Sequence, residues 1–421
     1  MSTSELPKGD PEFLGFLPER IGRIGALIDK EVEAGKIPGA ITMIARRGEV
    51  VHSHASGKLH IERPAPVSGD SLFRLYSQTK PMLAVVLMRL FEEGAFLLDE
   101  PVSKWIPEFA NPRVFTLAPP RDAVRGAMLP TQPAKREITI YDLLTMTSGL
   151  PSLAKTPVVF WPSMKPVWGD AAFMAPGDKR INDPELDYDD QVVAIAANPL
   201  YSEPGENWNY GSDYDVLTLF LTRVSGMDLE ELFQEKLLGP LGMHDSSFYC
   251  GEDKLDRLST EHRWDPVGES LLVRDPPETA EKAGRAERRL MSGNGGFGGL
   301  LSTPLDFMRF AQMLANDGEL DGVRILGRKT VELMRANHLG ERCINVYAPN
   351  YGFGFGVYVR KSVGGIFTPG SAGTFGWAGA AGTWFFIDPK EELIGLFFTH
   401  VFGFLQPTAI QFEKMTYEAL K

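Results

Sequence analysis

The sequence predicts an α+β fold in which an antiparallel sheet, flanked by terminal helices, carries an inserted and mainly helical domain. Three observations support this prediction. Strand patterns lie near both ends of the chain, helical patterns dominate between them, and the last residues form a helical pattern again. We therefore expect one discontinuous α/β domain, residues 1–76 with 290–421, and a mainly helical domain, residues 77–289.

We predict a helix and a hairpin near the amino end of the chain, and strands followed by a helix near the carboxyl end. Apolar residues recur at three and four positions in FLPERIGRIGALIDKEVEAG, residues 16–35, as in an amphipathic helix. The stretch GAITMIARRGEVVHSHASG, residues 39–57, alternates around an Arg-Arg-Gly turn and predicts an antiparallel hairpin. Further strands are predicted in YGFGFGVYVRK and GTWFFIDPKEELIGLFFTH, and a closing helix in PTAIQFEKMTYEALK.

The middle of the chain contains a long segment without its own periodicity, residues 151–190. Loops of this length are usually functional or mobile, and this one holds several large aromatic residues. It could cover a substrate cleft or pack against the helical domain. If it covers a cleft, Phe160 and Trp161 are candidate substrate contacts.

Charge and composition exclude some classes of partner. The net charge of −12 and a pI near 5.2 argue against binding to nucleic acid or to anionic membranes, because both require a positive surface. The amino terminus has no positive region leading into an apolar run, so no secretory signal is predicted. The longest apolar stretch, PMLAVVLMRLF, is about half a bilayer span. We expect a cytoplasmic protein; the oligomeric state is not predicted.

A serine and a lysine lie one helical turn apart in SLFRLYSQTKPM, residues 71–82. Proline is tolerated only in the first turn of a helix, so Pro81 predicts a helix that starts at about Ser77 to Gln78. There the helix dipole and unpaired backbone N–H groups favour developing negative charge. Lys80 lies on the same face, within reach of the Ser77 hydroxyl. The pair is therefore a candidate nucleophile and proton acceptor.

A simpler interpretation of this stretch is an ordinary helix start. Serine is among the commonest residues at a helix N-cap, and S-x-x-K is a short pattern. The chain contains a second copy, Ser152 to Lys155, which opens no apolar helix. On the tetrapeptide alone, a catalytic role and a helix cap are about equally supported.

Longer blocks of sequence resemble a known family. SLFRLYSQTKPMLAVVLMRLFEEGAFLLDEPVSKWIPEF is similar to the corresponding region of class C β-lactamase-like serine hydrolases, including the family VIII carboxylesterases. The same family pattern continues, in order, in ITIYDLLTMTSGL, PGENWNYGSDYDVLTLFL, LLGPLGMHDSSF, GGLLSTPLDFMRFAQMLANDGELDGVRIL and FGWAGAAGTWFFIDP. The resemblance spans most of the chain after residue 70 and implies a β-lactamase/transpeptidase-like fold.

The resemblance implies a third catalytic residue. The family's second motif, Y-x-N or Y-x-S, matches Tyr210 and Ser212. It implies that the Tyr210 phenol shares a proton with Lys80 and Ser77, activates the serine and later protonates the leaving group. Ser212 would contact the substrate.

The family's third motif departs from its usual form here. Trp377, Ala378 and Gly379 match the K-T-G of the β-lactamases and are predicted to bind substrate. By the same alignment, the backbone N–H groups of Ser77 and Ala380 would form the oxyanion hole. A lysine at the first position would hold the carboxylate of a β-lactam, whereas the Trp377 indole offers an apolar wall that suits an ester.

These observations predict a serine carboxylesterase that hydrolyses small esters through an acyl-enzyme on Ser77, without metal or organic cofactor. Acyl transfer, amide hydrolysis of the D-aminopeptidase kind and weak β-lactam hydrolysis remain open on the same fold. A non-enzymatic alternative is a protein that binds an acyl ligand without turnover. GNGGFG, residues 293–298, matches a dinucleotide motif but does not follow a strand, so a dinucleotide site is not expected.

Overall fold

The computed structural model describes residues 5–116, 130–150, 192, 195–196, 198–278, 299–344, 350–366, 368–403 and 407–421. It confirms the predicted α+β fold, with strands from both ends of the chain in one sheet. The segment 151–190, including Phe160 and Trp161, lies outside the described residues, as does the glycine-rich stretch 293–298.

The described strands are, in chain order, β1 Gly39–Arg46, β2 Glu49–His60, β3 Arg63–Pro66, β4 Phe73–Arg74, β5 Arg113–Phe115, β6 Thr131–Pro133, β7 Glu261–Asp265, β8 Ser270–Asp275, β9 Leu301–Ser302, β10 Glu319–Leu320, β11 Val323–Arg324, β12 Tyr351–Phe353, β13 Tyr358–Arg360, β14 Phe375–Ala378, β15 Trp384–Asp388, β16 Leu393–Thr399 and β17 Val401–Phe402. The described α-helices are α1 Pro18–Glu33, α2 Thr79–Glu92, α3 Ile140–Leu144, α4 Asp213–Ser225, α5 Leu229–Phe233, α6 Pro304–Ala315, α7 Arg328–Met334 and α8 Pro407–Glu418.

The main sheet joins the two ends of the chain. Its eight strands run in the order β12-β13-β14-β15-β16-β1-β2-β3, and neighbouring strands are antiparallel. Strand β1 forms the predicted hairpin with β2 on one side and pairs with β16 on the other, where Ala40 lies opposite Thr399. The hairpin and the late strands therefore belong to one sheet, as the sequence predicts.

Helices cover both faces of this sheet. Successive residues of a strand point to opposite faces, and the neighbouring residues Phe385 and Phe386 show this in β15. The Phe385 ring lies 5.1 Å from Phe307 of α6, whereas the Phe386 ring lies 6.3 Å from Phe412 of α8. Helix α1, which buries Ile24 and other apolar residues of its predicted face, packs beside α8. The sheet is thus the middle layer of three.

The inserted part contains α2 to α5. Helix α2 is apolar on nearly all sides, and its residues from Thr79 to Met88 are buried, which identifies it as a core helix. It contacts α4, and α4 contacts α3 and α5. One cluster of buried apolar residues extends through this part and the main sheet, so the domain boundaries at residues 77 and 290 stay a prediction. No helix in the described ranges has both the length and the apolar character that crossing a bilayer requires.

The inserted part also contains a small sheet that the sequence did not indicate. Strands β7 and β8 form a hairpin within the predicted helical region. Strand β17, which follows β16 of the main sheet, pairs in parallel with β7, so that Val401 lies opposite His262. This three-stranded sheet joins the carboxyl-terminal part of the chain to the inserted part beside the start of α2.

Candidate active site

Ser77 lies in a tight turn that leads into α2. The turn is a short 3-10 helix, Tyr76–Gln78, and α2 begins directly after it, with Pro81 in its first turn as predicted. Tyr76 has a φ of 47°, a left-handed conformation that costs a residue with a side chain about 1 to 2 kcal/mol. Gln78 occupies the N-cap of α2, which has no capping side-chain hydrogen bond. The alternative that Ser77 is an ordinary helix cap is therefore not supported.

Lys80 faces Ser77 from the first turn of the same helix. Its Nζ donates a hydrogen bond to Ser77 Oγ at 3.1 Å, and the side chain is fully buried. The Lys80 Nζ atom lies over two aromatic rings, 5.0 Å from the centre of Tyr210 and 5.9 Å from that of Tyr214.

Tyr210 completes the arrangement from the segment before α4. Its phenol oxygen lies 2.6 Å from Ser77 Oγ. The segment is held against the loop after α3 by Asn209, whose backbone N–H donates to Met146 O at 2.9 Å and whose amide donates to Leu150 O at 2.6 Å. The structure thus brings Ser77, Lys80 and Tyr210 together, although 130 residues separate the lysine from the tyrosine along the chain.

Two neutral groups lie behind Tyr210 that the sequence analysis did not single out. Burial raises the pKa of the Asp213 carboxyl to about 8, although Ser148 donates a hydrogen bond to it at 2.5 Å. Burial and the nearby Asp213 raise the pKa of the Tyr214 phenol well above its usual value. Tyr214 therefore stays protonated and does not compete with Tyr210 as a base. The sequence offered one signal for Tyr214: it follows Tyr210 by four residues, in the first turn of a helix.

The end of β14 passes directly beside the turn that carries Ser77. A Cβ atom at Gly379 would lie 2.4 Å from the carbonyl oxygen of Leu75, so only glycine fits there. Gly379 N–H donates to Thr383 O at 2.8 Å, and the carbonyl of Ala380 accepts from Gly403 N at 2.9 Å. The oxyanion-hole role of the Ser77 and Ala380 amides stays a prediction.

The remaining predicted substrate contacts are buried. The Trp377 indole is 1% exposed and stacks on Tyr210 with 5.9 Å between ring centres and 23° between planes. It also contacts Phe353, at 5.3 Å between ring centres. Ala378 is buried in β14, and Ser212 is fully buried at the N-cap of α4. Direct contact of these side chains with a substrate stays a prediction.

The described part of the chain contains no group of three or more His, Cys, Asp or Glu side chains that could hold a metal ion. His52 and His54 are neighbours on β2, with 6.4 Å between their ring centres. They lie under α1, where a Cβ at Gly25 would contact the His54 ring at 3.0 Å. His54 Nε2 is paired with Asp29 at 2.9 Å, and burial lowers the pKa of His52 to about 4.

The geometry supports nucleophilic chemistry at Ser77. Its hydroxyl is within hydrogen-bond distance of two groups that can exchange a proton, and it lies at the amino end of a helix. Such an arrangement can form a covalent acyl intermediate, because the proton lost by the serine has an acceptor at hand.

Sequence comparisons point to one family. A family model described as Beta-lactamase matches residues 24–416. Protein Rv1367c of Mycobacterium tuberculosis (strain ATCC 25618 / H37Rv) is 34% identical over 386 residues, which cover 88% of each chain. Esterase EstB of Burkholderia gladioli is 28% identical over 390 residues, which cover 90% of each chain.

Solved structures agree with this fold. EstCE1, a hydrolase with promiscuous acyltransferase activity, superimposes with a TM-score of 0.71 at 24% identity, covering 95% of this chain and 99% of that chain. Unliganded simvastatin synthase (LovD) from Aspergillus terreus gives a TM-score of 0.73 at 21% identity, covering 95% and 98%. On the family match and the 34% identical relative, the chain belongs to the Beta-lactamase family and is a serine hydrolase with the β-lactamase/transpeptidase-like fold.

Proposed function

We propose that this protein is a carboxylesterase that cleaves small carboxylic esters through an acyl-enzyme on Ser77. The observation that carries the proposal is the position of Ser77 Oγ between Lys80 Nζ, at 3.1 Å, and the Tyr210 phenol, at 2.6 Å. The similarity of the chain to Esterase EstB supports an ester as the substrate. The cytoplasmic location and the lack of a cofactor belong to the proposal and rest on the sequence alone.

In this mechanism, Ser77 Oγ bonds to the ester carbonyl carbon while its proton passes to the pair formed by Lys80 and Tyr210. The N–H groups of Ser77 and Ala380 stabilise the oxyanion, and each such donor is typically worth roughly 10²- to 10³-fold in rate. The tetrahedral intermediate collapses, the C–O bond to the alcohol breaks, and the same pair returns the proton to the alcohol. Water then attacks the acyl-enzyme by the same route and releases the acid.

An ester is favoured over a β-lactam because of Trp377. The β-lactamase motif has a lysine at this position, which would attract the carboxylate of a β-lactam. Here the buried indole stacks on Tyr210 and provides no positive charge. Ser212 in place of the family's asparagine removes an amide that could bind a substrate amide. The two replacements together support ester cleavage.

Acyl transfer to an acceptor alcohol is the second candidate function. It uses the same acyl-enzyme on Ser77, with an alcohol in place of water in the second step. The structure of EstCE1, which is described as a hydrolase with acyltransferase activity, has the same fold and favours including this reaction in the test.

The test measures hydrolysis of p-nitrophenyl butyrate and of a chromogenic cephalosporin by the protein and by Ser77→Ala. We expect ester turnover that is lost in the variant, with little cephalosporin cleavage by either protein. Added methanol would reveal acyl transfer as methyl butyrate. Equal ester turnover in Ser77→Ala would refute the nucleophile, and efficient cephalosporin cleavage with slow ester hydrolysis would refute the substrate class. One equivalent of p-nitrophenol without further turnover would instead indicate acyl binding.

A further inference from the structure

A buried cluster of charged and aromatic groups lies directly behind the turn that carries Ser77. The Tyr76 phenol donates a hydrogen bond to Glu261 of β7, and Glu261 forms an ion pair with Arg274 of β8. Arg274 also approaches the Tyr76 phenol oxygen, at 3.4 Å. Glu261 is fully buried and Tyr76 is 1% exposed, so these contacts are shielded from water. The cluster fixes the side chain of the residue immediately before the nucleophile.

This contact acts on a residue whose backbone conformation is unfavourable by itself. Tyr76 has a φ of 47°, and a residue with a side chain keeps such a conformation only when its surroundings hold it there. The Tyr76 side chain is held at its phenol end by Glu261 and on its ring by Phe402, at 5.8 Å between ring centres. The orientation of the Ser77 backbone therefore depends on groups that are distant in sequence.

The same cluster reaches the other side of the predicted oxyanion hole. The Arg274 guanidinium lies over the Phe402 ring, 3.8 Å from its centre. Phe402 belongs to β17, and the next residue, Gly403, donates its N–H to Ala380 O at 2.9 Å. One residue before Phe402, Val401 donates its N–H to Ala381 O at 2.8 Å. The loop that carries the Ala380 amide is thus hydrogen-bonded to β17.

Other titratable groups lie near Glu261 in the part of the chain that the structure describes. His400 Nε2 lies 3.9 Å from Glu261, and burial lowers the pKa of His400 well below its usual value, so it adds no charge. The neighbouring Arg74 is paired with Asp275 at 2.9 Å. Among the described residues, Arg274 forms the ion pair with the buried Glu261 carboxylate.

We propose that Glu261 and Arg274 are positioning residues for catalysis. Through Tyr76 and Phe402, they hold together the two backbone segments whose amides would bind the oxyanion. The proposal rests on the proposed use of Ser77 as a nucleophile, but it concerns the small sheet β17-β7-β8, which neither the sequence motifs nor the family match assign to the reaction. It predicts that loosening this cluster slows the attack on the substrate without weakening substrate binding.

The test compares two variants that each remove one buried tyrosine hydroxyl. Tyr76→Phe removes the hydrogen bond to Glu261. The control, Tyr417→Phe, removes a similar buried hydrogen bond to Asp388, 2.9 Å long, from the helix α8 on the far side of the main sheet. For each variant, we would measure kcat and KM for p-nitrophenyl butyrate and the melting temperature. We would also measure the rate at which a p-nitrophenyl phosphonate labels Ser77, by intact mass.

For Tyr76→Phe, we expect kcat and the labelling rate to fall together by roughly 10- to 100-fold, with KM within about threefold of the parent. Tyr417→Phe should lower the melting temperature similarly and leave both rates within about twofold. If Tyr76→Phe does not fold, Glu261→Gln is the second variant, because the glutamine still accepts from the Tyr76 phenol but no longer pairs with the Arg274 charge. In Glu261→Gln, kcat and the labelling rate should fall less than in Tyr76→Phe.

The outcomes separate this proposal from the proposed function. Rates within twofold of the parent in a folded Tyr76→Phe or Glu261→Gln would overturn the positioning role. An equal fall of kcat and labelling rate in Tyr417→Phe would also overturn the positioning role, because the effect would then follow from lost stability alone. If the parent is labelled at Ser77 but does not cleave the ester, the ester function is wrong while the labelling rates still decide the positioning role. If the parent is not labelled at all, both proposals are wrong.

Discussion

Gly379→Ala tests whether the close approach of β14 to the Ser77 turn supports catalysis. A Cβ at this position would lie 2.2 Å from Thr383 Oγ1 and 2.4 Å from Leu75 O. The threonine side chain can rotate away, but Leu75 O is backbone. Because ordinary van der Waals contact of a Cβ atom begins at 3.4 Å, the two segments must separate by roughly 1 Å.

A displacement of this size is large for an oxyanion donor. Since a 1 Å misplacement can cost roughly 10²-fold in rate, we expect kcat of Gly379→Ala to fall about 10²-fold, equivalent to about 2.7 kcal/mol in transition-state stabilisation. KM should change by less than about threefold, because the other residues predicted to contact substrate, Trp377, Ala378 and Ser212, are unchanged. The assay is steady-state hydrolysis of p-nitrophenyl butyrate, with the concentration of folded protein determined by circular dichroism.

Gly22→Ala is the matched control. Gly22 is exposed on α1, and a Cβ there would meet no atom within 4 Å. An alanine in a helix interior is more favourable than glycine by roughly 0.5 to 1 kcal/mol, so this variant should unfold at a slightly higher temperature with unchanged kcat. If Gly379→Ala kept kcat within twofold of the parent, the inference that this contact sets the geometry of the oxyanion hole would be refuted.

Three further variants test the site and one buried carboxyl. Lys80→Met should lower kcat roughly 10²- to 10⁴-fold without loss of thermal stability, because it replaces a buried amine by an apolar side chain; near-parental kcat would exclude Lys80 as proton acceptor. Tyr210→Phe keeps the ring on Trp377 and should lower kcat roughly 10²-fold at similar KM, whereas a change in KM alone would indicate a binding role. Burial raises the pKa of the Glu413 carboxyl to about 7 from 4.5, so its contribution to stability is complete below pH 4.5 and is lost as the pH rises through 7. Glu413→Gln should remove about 3 kcal/mol of this pH dependence in urea unfolding, and an unchanged dependence would contradict the burial argument.

The sequence predicted most of the main sheet and the Ser77–Lys80 pair because both leave local patterns. The hairpin and the late strands follow alternation, and Pro81 located the start of α2. Tyr210 could be placed only through the family resemblance, since nothing local relates it to Ser77. The structure then showed that the three side chains meet.

The small sheet was missed for a physical reason. Strands β7 and β8 are short, carry several charged residues and surround a Pro-Val-Gly turn, so their alternation is weak. Their third strand, β17, follows a different region of the chain, and the Tyr76 to Glu261 contact joins residues far apart in sequence. Trp377 shows a related difficulty: its motif position predicted a cleft wall, but the sequence could not show that its indole is buried behind Tyr210.

The pairing of β1 with β16 has a consequence for biosynthesis. Ala40 leaves the ribosome long before Thr399, its partner in the sheet, and at roughly 5 to 20 residues per second the interval is on the order of 20 to 70 seconds. During this time the apolar side chains of the first hairpin lack the neighbour that later covers one edge. Until β16 has been made, this edge of β1 has no partner in the nascent chain, and an unpaired strand edge favours aggregation.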